Sequence, residues 1–125
     1  MELNVILIIC ATFVVFLIVF ILYRFNNASK KEFYPESKLT HRIVKYKHGM
    51  KNGLERVFYR TGELNKRKIW KNDKLEGLCE TYYKSGEICI RCYYKNGLLD
   101  GRWMAYDLNG NVIEFVEYNG GLKVG

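Results

Sequence analysis

The sequence of 125 residues contains very little proline, and all 11 of its glycines lie at or after position 49. Pro35 is the single proline and 26% of residues are charged, a composition that excludes a proline-rich or low-complexity disordered chain. Histidine is also scarce: His41 and His48 lie in a basic stretch with no visible partner, so neither predicts a general base. The length allows one small domain and excludes a large enzyme or a multi-span transporter.

Charge is missing from one long segment at the start of the chain. The 20 residues from Leu3 to Leu22 include no charged side chain, and as a helix they cover about 30 Å, the thickness of a hydrocarbon core. Tyr23 and Arg24 follow, an aromatic and a cation suited to the interface. A cleaved signal peptide fits less well, because the basic n-region is absent and the apolar run is too long. The sequence therefore predicts a single-pass anchor over residues 1–23.

Positive charge is concentrated just after this anchor. Residues 24–74 hold 15 Lys and Arg against 5 acids, whereas residues 75–125 hold 5 against 7. Arg24, Lys30 and Lys31 follow the apolar run and only Glu2 precedes it, so the positive-inside rule predicts a cytoplasmic domain, with a translocated domain as the alternative. We assign residues 24–38 to a basic juxtamembrane linker. The cluster fits either contact with anionic lipid or a solvated face. The candidate lipid-facing residues are Arg24, Lys30, Lys31, Arg42, Lys45 and Lys47.

The rest of the chain repeats with a period of 24 residues. Ten glycines occupy three columns: Gly53, Gly77, Gly101 and Gly125; Gly62, Gly86 and Gly110; Gly49, Gly97 and Gly121. Two aromatic columns have the same spacing: Tyr46, Trp70, Tyr94 and Tyr118; Phe58, Tyr82 and Tyr106. A repeat of this length indicates one supersecondary unit that buries its apolar side chains only against its neighbours.

Each repeat contains two glycine turn signals separated by short runs rich in aromatic and β-branched residues, which predicts a β-hairpin. The fold class is therefore mostly β: an antiparallel hairpin meander over residues 39–125 that follows one transmembrane helix. We treat the first two glycine columns, Gly53 to Gly101 and Gly62 to Gly110, as turn residues. Two-residue turns at Thr61-Gly62, Ser85-Gly86 and Asn109-Gly110 would place these pairs opposite each other: Glu55 and Lys68, Cys79 and Cys92, Cys89 and Tyr82, Trp103 and Val116.

The unit resembles the bacterial variant of the MORN repeat. The resemblance is carried by Tyr46-KHGMKNG, Trp70-KNDKLEG, Tyr94-KNGLLDG and Tyr118-NGGLKVG, and it covers residues 46–125. The chain departs from the pattern at Asp73, where the third glycine column lacks its glycine. The resemblance implies a module that scaffolds or neutralises a protein partner, since bacterial proteins of this kind are often labelled antitoxins of the YwqK type.

The residues do not predict catalysis or a cofactor. Cys89 and Cys92 form a C-x-x-C, but strand residues three apart point to opposite faces, and no second motif completes a zinc site. We therefore expect no enzyme activity, no metal and no cofactor. Cys79 and Cys92 are a possible cross-strand pair, reduced in a cytoplasmic domain and able to form a disulfide in a translocated one.

We thus expect a single-pass membrane protein whose repeat domain binds a protein partner, with an antitoxin or immunity-type role as one form of this function. The alternative is a membrane-surface module that recognises anionic lipid or cell-wall material. Nucleic acid is disfavoured, because the anchor and the acidic distal half confine any basic patch. Most aromatic side chains are expected to pack between repeats. Tyr59, Tyr83 and Trp103 are the candidates for an exposed protein-binding face.

Overall fold

The computed structural model describes residues 2–125, which form one helix and eleven strands. Helix α1 (Glu2–Asn26) has a mean hydropathy of 3.5 in its most apolar window and is long and apolar enough to span a membrane. It continues beyond the predicted limit at residue 23, and the backbone N–H of Asn27 still donates to the carbonyl of Tyr23. The polar end of the helix therefore extends past the apolar run.

The strands form one antiparallel sheet. Their bounds are β1 (Ser29–Phe33), β2 (Thr40–Lys47), β3 (Met50–Phe58), β4 (Leu64–Lys71), β5 (Lys74–Leu75), β6 (Gly77–Tyr82), β7 (Ile88–Lys95), β8 (Leu98–Leu99), β9 (Gly101–Tyr106), β10 (Val112–Asn119) and β11 (Leu122–Lys123). The order across the sheet is β1-β2-β3-β4-β6-β7-β9-β10-β11, with β5 on β4 and β8 on β7. The predicted fold class, an antiparallel hairpin meander after an apolar helix, is confirmed.

The sheet begins earlier in the chain than the sequence predicts. Strand β1 lies inside the segment 24–38 assigned to a linker, and it pairs with β2 from Ser29 opposite Lys45 to Phe33 opposite Thr40. The repeat pattern did not predict this hairpin because the hairpin contains no glycine. At its turn Glu36 adopts a φ of 61°, in the left-handed region where the later hairpins use glycine.

The strand register follows the prediction along most of each hairpin. Glu55 is opposite Lys68 and Cys79 is opposite Cys92. Trp103 likewise faces Val116. Next to the turn, however, the register shifts by one residue, and Tyr82 is opposite Ile88 rather than Cys89.

This shift arises because the turn is longer than the two residues we predicted. The N–H of Gly86 donates to the carbonyl of Tyr83, and the N–H of Tyr83 donates to that of Glu87, so residues 83–86 form a four-residue turn. Gly86 has a φ of 104°. A bulge at Cys89 then restores the predicted pairing in the rest of the hairpin.

The turns that join the strands lie along two opposite rims of the sheet. We call these rims the near edge, which adjoins the end of α1, and the far edge. The far edge consists of the loops 34–39, 59–63, 83–87 and 107–111. The near edge consists of four two-residue turns whose residues all have positive φ: His48-Gly49, Asn72-Asp73, Asn96-Gly97 and Gly120-Gly121. Asp73, which breaks the glycine column, adopts a φ of 63° and so takes the same conformation as the glycines.

The first glycine column is not at the turns, which corrects the prediction. Gly53, Gly77 and Gly101 have φ values of 103°, 84° and 96°, and they lie in or at the start of strands where the register with the preceding strand shifts by two residues. These glycines therefore make bulges, which bend the strands. Only the second column, Gly62, Gly86 and Gly110, belongs to the far-edge turns.

Most of the buried side chains lie on one face of the sheet, here called the inner face. Directly opposed residues of an antiparallel pair share a face, so the pairings group the buried side chains together. The buried residues on the inner face are Val44, Glu55, Cys79, Cys92, Ala105 and Val116. The opposite, outer face buries Glu80. The sheet is thus a thin layer with a narrow core.

Hydrogen bonds with the 24-residue period join successive hairpins. At the far edge Tyr59 and Tyr83 donate their hydroxyls to the carbonyls of Tyr82 and Tyr106, both at 2.7 Å. Tyr34 donates to Phe58 in the same way at 2.6 Å. At the near edge the N–H groups of residues 73, 97 and 121 donate to the carbonyls of residues 51, 75 and 99. These bonds form two ladders that stabilise the array without a thick core.

Candidate binding face

A buried carboxylate organises the inner face of the first two hairpins. Glu55, 1% exposed, accepts a hydrogen bond from Trp70 Nε1 at 2.5 Å and one from Arg42 Nη1 at 3.4 Å. Lys68 lies directly opposite Glu55 on the neighbouring strand. These contacts balance the buried negative charge and fix the Trp70 indole on this face.

Arg42 is held in an ion-pair network. Its Nη2 lies 2.6 Å from Glu32 Oε2 on strand β1, in addition to its contact with Glu55. The hydrogen bond from Arg42 lowers the pKa of Glu32, and the same bond raises the pKa of Arg42. Arg42 therefore joins β1 to the rest of the sheet, and its guanidinium is bound to Glu32 and Glu55 within the chain.

Lysines surround Trp70 on the same face. Lys51 Nζ lies 4.4 Å from the indole ring centre and Lys68 Nζ lies 6.0 Å from it, both within cation–π range. Lys66 is two residues before Lys68 and shares its face. We call Trp70, Lys51, Lys66 and Lys68 the Trp70 cluster. It combines a half-buried aromatic ring with three ammonium groups, an arrangement that suits an acidic ligand surface.

The outer face holds a second buried carboxylate. Glu80 accepts hydrogen bonds from the Tyr82 hydroxyl at 2.5 Å and from Arg91 Nη2 at 2.9 Å, and Arg67 lies 3.7 Å away. Burial by itself would raise the pKa of Glu80, but the bonds from Tyr82 and Arg91 outweigh it and lower the pKa below its usual value. This cluster ties β4, β6 and β7 together, so its role is structural.

Cys79 and Cys92 are buried and directly opposite each other, and both are free thiols. A hydrogen bond from Cys92 lowers the pKa of the Cys79 thiol, while the same contact and burial raise that of Cys92. Cys89 lies in the bulge near Tyr83 and does not join this pair. Within residues 2–125, no group of three or more His, Cys, Asp or Glu could hold a metal ion.

The aromatic columns occupy different places. The column of Tyr46, Trp70, Tyr94 and Tyr118 lies on the inner face, and that of Phe58, Tyr82 and Tyr106 lies at the strand ends by the far-edge turns. Tyr59, Tyr83 and Trp103 are half-buried. The hydroxyls of Tyr59 and Tyr83 bind the next hairpin, so these two rings are partly used inside the sheet, and the binding face expected at them stays a prediction.

The remaining predicted lipid-facing residues do not form one patch. Lys30 lies on the inner face, whereas Lys31 and Lys45 lie on the outer face. Arg24 is in the last turn of α1, and Lys47 precedes the first near-edge turn. Neighbouring positions along a strand alternate between faces, so a basic run in the sequence is divided in the sheet.

The near edge brings together lysines that are far apart in the sequence. Exposed lysines from three hairpins stand beside its turns: Lys47, Lys71, Lys74 and Lys95. Exposed apolar residues follow the same turns: Met50, Leu98 and Leu122, at 36%, 52% and 73% exposure. The 24-residue spacing of Lys47, Lys71 and Lys95 is the sequence signal that could have predicted this row of lysines.

The helix meets the sheet at this near edge. The carbonyl of Asn26 accepts a hydrogen bond from the N–H of His48 at 3.0 Å, and that of Ala28 accepts one from Tyr46 at 2.8 Å. Beta pairing thus begins directly at the end of α1. A cavity of about 430 Å³ lined by Phe20, Ile21, Arg24, Phe25 and Ala28 lies at the helix end.

Comparison with known proteins supports the resemblance in one repeat. A family profile described as a MORN repeat variant matches residues 75–96, which span β6 and β7 with the turn between them. No curated protein and no solved structure matched the chain. The chain therefore contains a MORN repeat variant beside an apolar helix, a combination that suggests a membrane- or lipid-associated interaction module.

Proposed function

We propose that this protein is a non-enzymatic module, tethered by α1, that binds the acidic surface of a protein partner at the membrane. The Trp70 cluster carries the proposal. Lys51 and Lys68 lie within cation–π range of the half-buried Trp70 ring, and Lys66 adds a third cation on the same face. Tryptophan is enriched among the residues that dominate protein interfaces, and a local excess of lysine steers an acidic partner towards it by electrostatic complementarity.

The positive charge of this face is available to a ligand. The inner-face acids Glu32 and Glu55 are bound to Arg42 or Trp70, whereas the Lys51 ammonium lies over an uncharged ring. The adjoining hairpins carry few charges on this face, with Thr81, Cys79 and Cys92 next in order. An acidic segment of a partner would therefore meet a local excess of cations.

The test is a pull-down of the intact protein from its native membrane. We expect one stoichiometric protein, lost when Lys51→Glu and Lys66→Glu are combined and retained in the matched control Lys84→Glu at the far edge. Retention of the partner by the double variant would reject the Trp70 cluster as its binding site. The bacterial proteins that this chain resembles are often labelled antitoxins, so a toxin encoded beside the gene is the first partner to examine.

A second candidate function is recognition of anionic lipid by the near edge. It is favoured by the row of Lys47, Lys71, Lys74 and Lys95, which begins where α1 ends. Each such charge near an anionic surface contributes about 1 kcal/mol. In this proposal, as in the first, the repeats lie on the cytoplasmic side, an orientation supported by Arg24, Lys30 and Lys31 after the apolar segment.

Vesicle sedimentation distinguishes the two functions. Once residues 25–125 are shown to be folded, they should bind phosphatidylglycerol vesicles in low salt and not phosphatidylcholine vesicles if lipid recognition is correct. Lys71→Glu with Lys95→Glu should abolish that binding, whereas Lys51→Glu with Lys66→Glu should weaken only the protein interaction. Equal binding to both vesicle types would reject the lipid function.

A further inference from the structure

The outer face carries two arginines directly opposite each other. Arg56 on β3 is opposite Arg67 on β4, so their Cβ atoms lie about 4.5–5.5 Å apart. Both are on the outer face, because Arg56 follows the inner-face residue Glu55 and neighbouring strand positions alternate between faces. Like charges directly opposite each other on neighbouring strands destabilise a sheet. The pair therefore costs stability unless an anion balances it.

The other repeats hold compatible pairs at this position. Twenty-four residues further along the chain, Glu80 is opposite Arg91, and Nη2 of Arg91 lies 2.9 Å from Glu80. In the third repeat the same position holds an apolar pair, Met104 opposite Phe115. The arginine pair is thus the exception among three equivalent positions, and the repeat pattern itself does not require it.

The charge of the arginine pair is only partly balanced within residues 2–125. Arg67 Nη1 lies 3.7 Å from Glu80, but the same carboxylate is bound more closely by Arg91. Arg56 is exposed, and no carboxylate among these residues lies within 4.0 Å of it. Three guanidinium groups therefore share one carboxylate, which leaves two positive charges unbalanced on the outer face.

Apolar side chains adjoin the pair. Ile43 is opposite Arg56 on the neighbouring strand β2. Leu54 and Ile69 are opposite each other one step along the same face, and Ile69 is 40% exposed. Because apolar neighbours reduce screening by water, an anion between the two guanidinium groups is held more strongly here than at a fully hydrated surface.

The charge and the donor geometry of the pair select a phosphate monoester. Guanidinium groups bind carboxylate and phosphate oxygens through two parallel hydrogen bonds. A carboxylate carries one negative charge and would leave part of the excess unbalanced. A phosphate monoester carries about 1.5–2 negative charges at pH 7 and has three acceptor oxygens, so it can accept hydrogen bonds from both arginines at once.

The position of the pair favours a soluble ligand over a lipid headgroup. Helix α1 joins the sheet at the near edge, where the first turn is His48-Gly49. Arg56 lies well along β3 from that turn, a separation of about 20 Å at the usual rise of a strand. Headgroups of the bilayer that holds α1 would therefore be distant from the pair.

We propose that Arg56 and Arg67 form a binding site for a phosphate monoester carried by a soluble molecule. The site goes beyond the proposed partner binding, since it lies on the outer face and the Trp70 cluster lies on the inner face. The failure of one proposal therefore leaves the other standing.

The test is a calorimetric titration of the full-length chain, in micelles of an uncharged detergent, with phenyl phosphate. Phenyl sulfate has nearly the same shape but only one negative charge, and we expect it to bind more weakly. Arg56→Glu and Arg67→Gln should each weaken phenyl phosphate binding by about tenfold to a hundredfold, as expected when hydrogen bonds to a charged group are lost. Lys84→Glu, the same change of charge at the far edge, should leave the affinity unchanged.

Arg56→Glu also separates loss of binding from loss of structure. It reproduces the glutamate–arginine pair of the next repeat, so its melting temperature should be at least that of the native chain. Arg56→Gln serves instead if the circular dichroism spectrum of Arg56→Glu is not native.

Three results would overturn the proposal. The first is equal affinity for phenyl phosphate and phenyl sulfate. The second is unchanged phenyl phosphate binding by the folded Arg56 variant. The third is binding of a short-chain phosphatidic acid with no binding of phenyl phosphate, because the phosphate would then come from a lipid.

Discussion

At the far edge, the backbone conformation of one residue in each turn determines where the hairpin turns. Gly86 has a φ of 104° and nothing within 4 Å of the place where a Cβ would stand. A side chain there would meet open space, so its cost would come from the backbone conformation alone. The neighbouring Ser85 is exposed, and its hydroxyl contacts Glu87 within the same loop.

We therefore predict that Gly86→Val destabilises the fold by about 1–3 kcal/mol, because a β-branched residue is strained at positive φ. Ser85→Ala should cost clearly less. Thermal unfolding of both variants, followed by circular dichroism, measures the difference. Equal melting temperatures would show that the turn does not require a positive φ at position 86.

The buried carboxylate of Glu80 predicts a pH dependence. Its pKa in the folded protein is lowered, since hydrogen bonds from Tyr82 and Arg91 outweigh the effect of burial. The ionised group therefore stabilises the fold fully above the unfolded pKa of about 4.3, and this contribution is lost as pH falls through the lower folded pKa. Urea unfolding between pH 6 and pH 3 should show the loss. Glu80→Gln should flatten that slope, and an unchanged slope would contradict the assignment.

At the scale of elements, hairpins are held to one another by the two hydrogen-bond ladders. Tyr59→Phe and Tyr83→Phe each remove a hydroxyl that donates to a carbonyl of the next hairpin at 2.7 Å. Each should cost about 0.5–1.5 kcal/mol, the usual net contribution of a hydrogen bond. Tyr93→Phe, at a residue 40% exposed, is the matched control. If all three variants had the same unfolding midpoint as the native chain, the hydroxyl ladder would not contribute.

The register of the second hairpin predicts its thiol chemistry. Cys79 and Cys92 are directly opposed, so their Cβ atoms lie about 4.5–5.5 Å apart, slightly wider than a relaxed disulfide. Mild oxidation by a small-molecule disulfide should join Cys79 to Cys92 in preference to Cys89, with the reagent reduced to two thiols. Mass spectrometry of the digested product identifies the link. A dominant bond to Cys89 would be inconsistent with this register.

The parts that sequence could predict are those governed by the repeat. Glycine and aromatic columns predicted the hairpins, and the turn positions predicted the pairing of Glu55 with Lys68. The first hairpin was missed because Glu36, not glycine, takes the positive φ at its turn. The Trp70 cluster was missed because Lys51 and Trp70 lie on different strands and approach only when β3 and β4 pair. Contacts between residues of different repeat columns can be identified only once the pairing of the strands is known.

At the scale of the whole molecule, a thin sheet is joined to an apolar helix without an unpaired linker. The carbonyls of Asn26 and Ala28 already bond to His48 and Tyr46, so the near edge starts where α1 ends. The sheet has its own core and ladders, none of which uses an α1 residue from Glu2 to Leu22. We therefore propose that α1 is the anchor and that the repeats bind the partner.

Fractionation of the full-length chain tests whether α1 anchors the protein in the membrane. Replacing Phe13 and Val14, which are 67% and 51% exposed, by lysine places two charges in the apolar segment. We predict that the native chain stays in the membrane fraction in high salt, whereas the Phe13→Lys, Val14→Lys variant is released and keeps its β-sheet circular dichroism. Retention of the variant in membranes in high salt would show that the apolar segment of α1 is not the anchor.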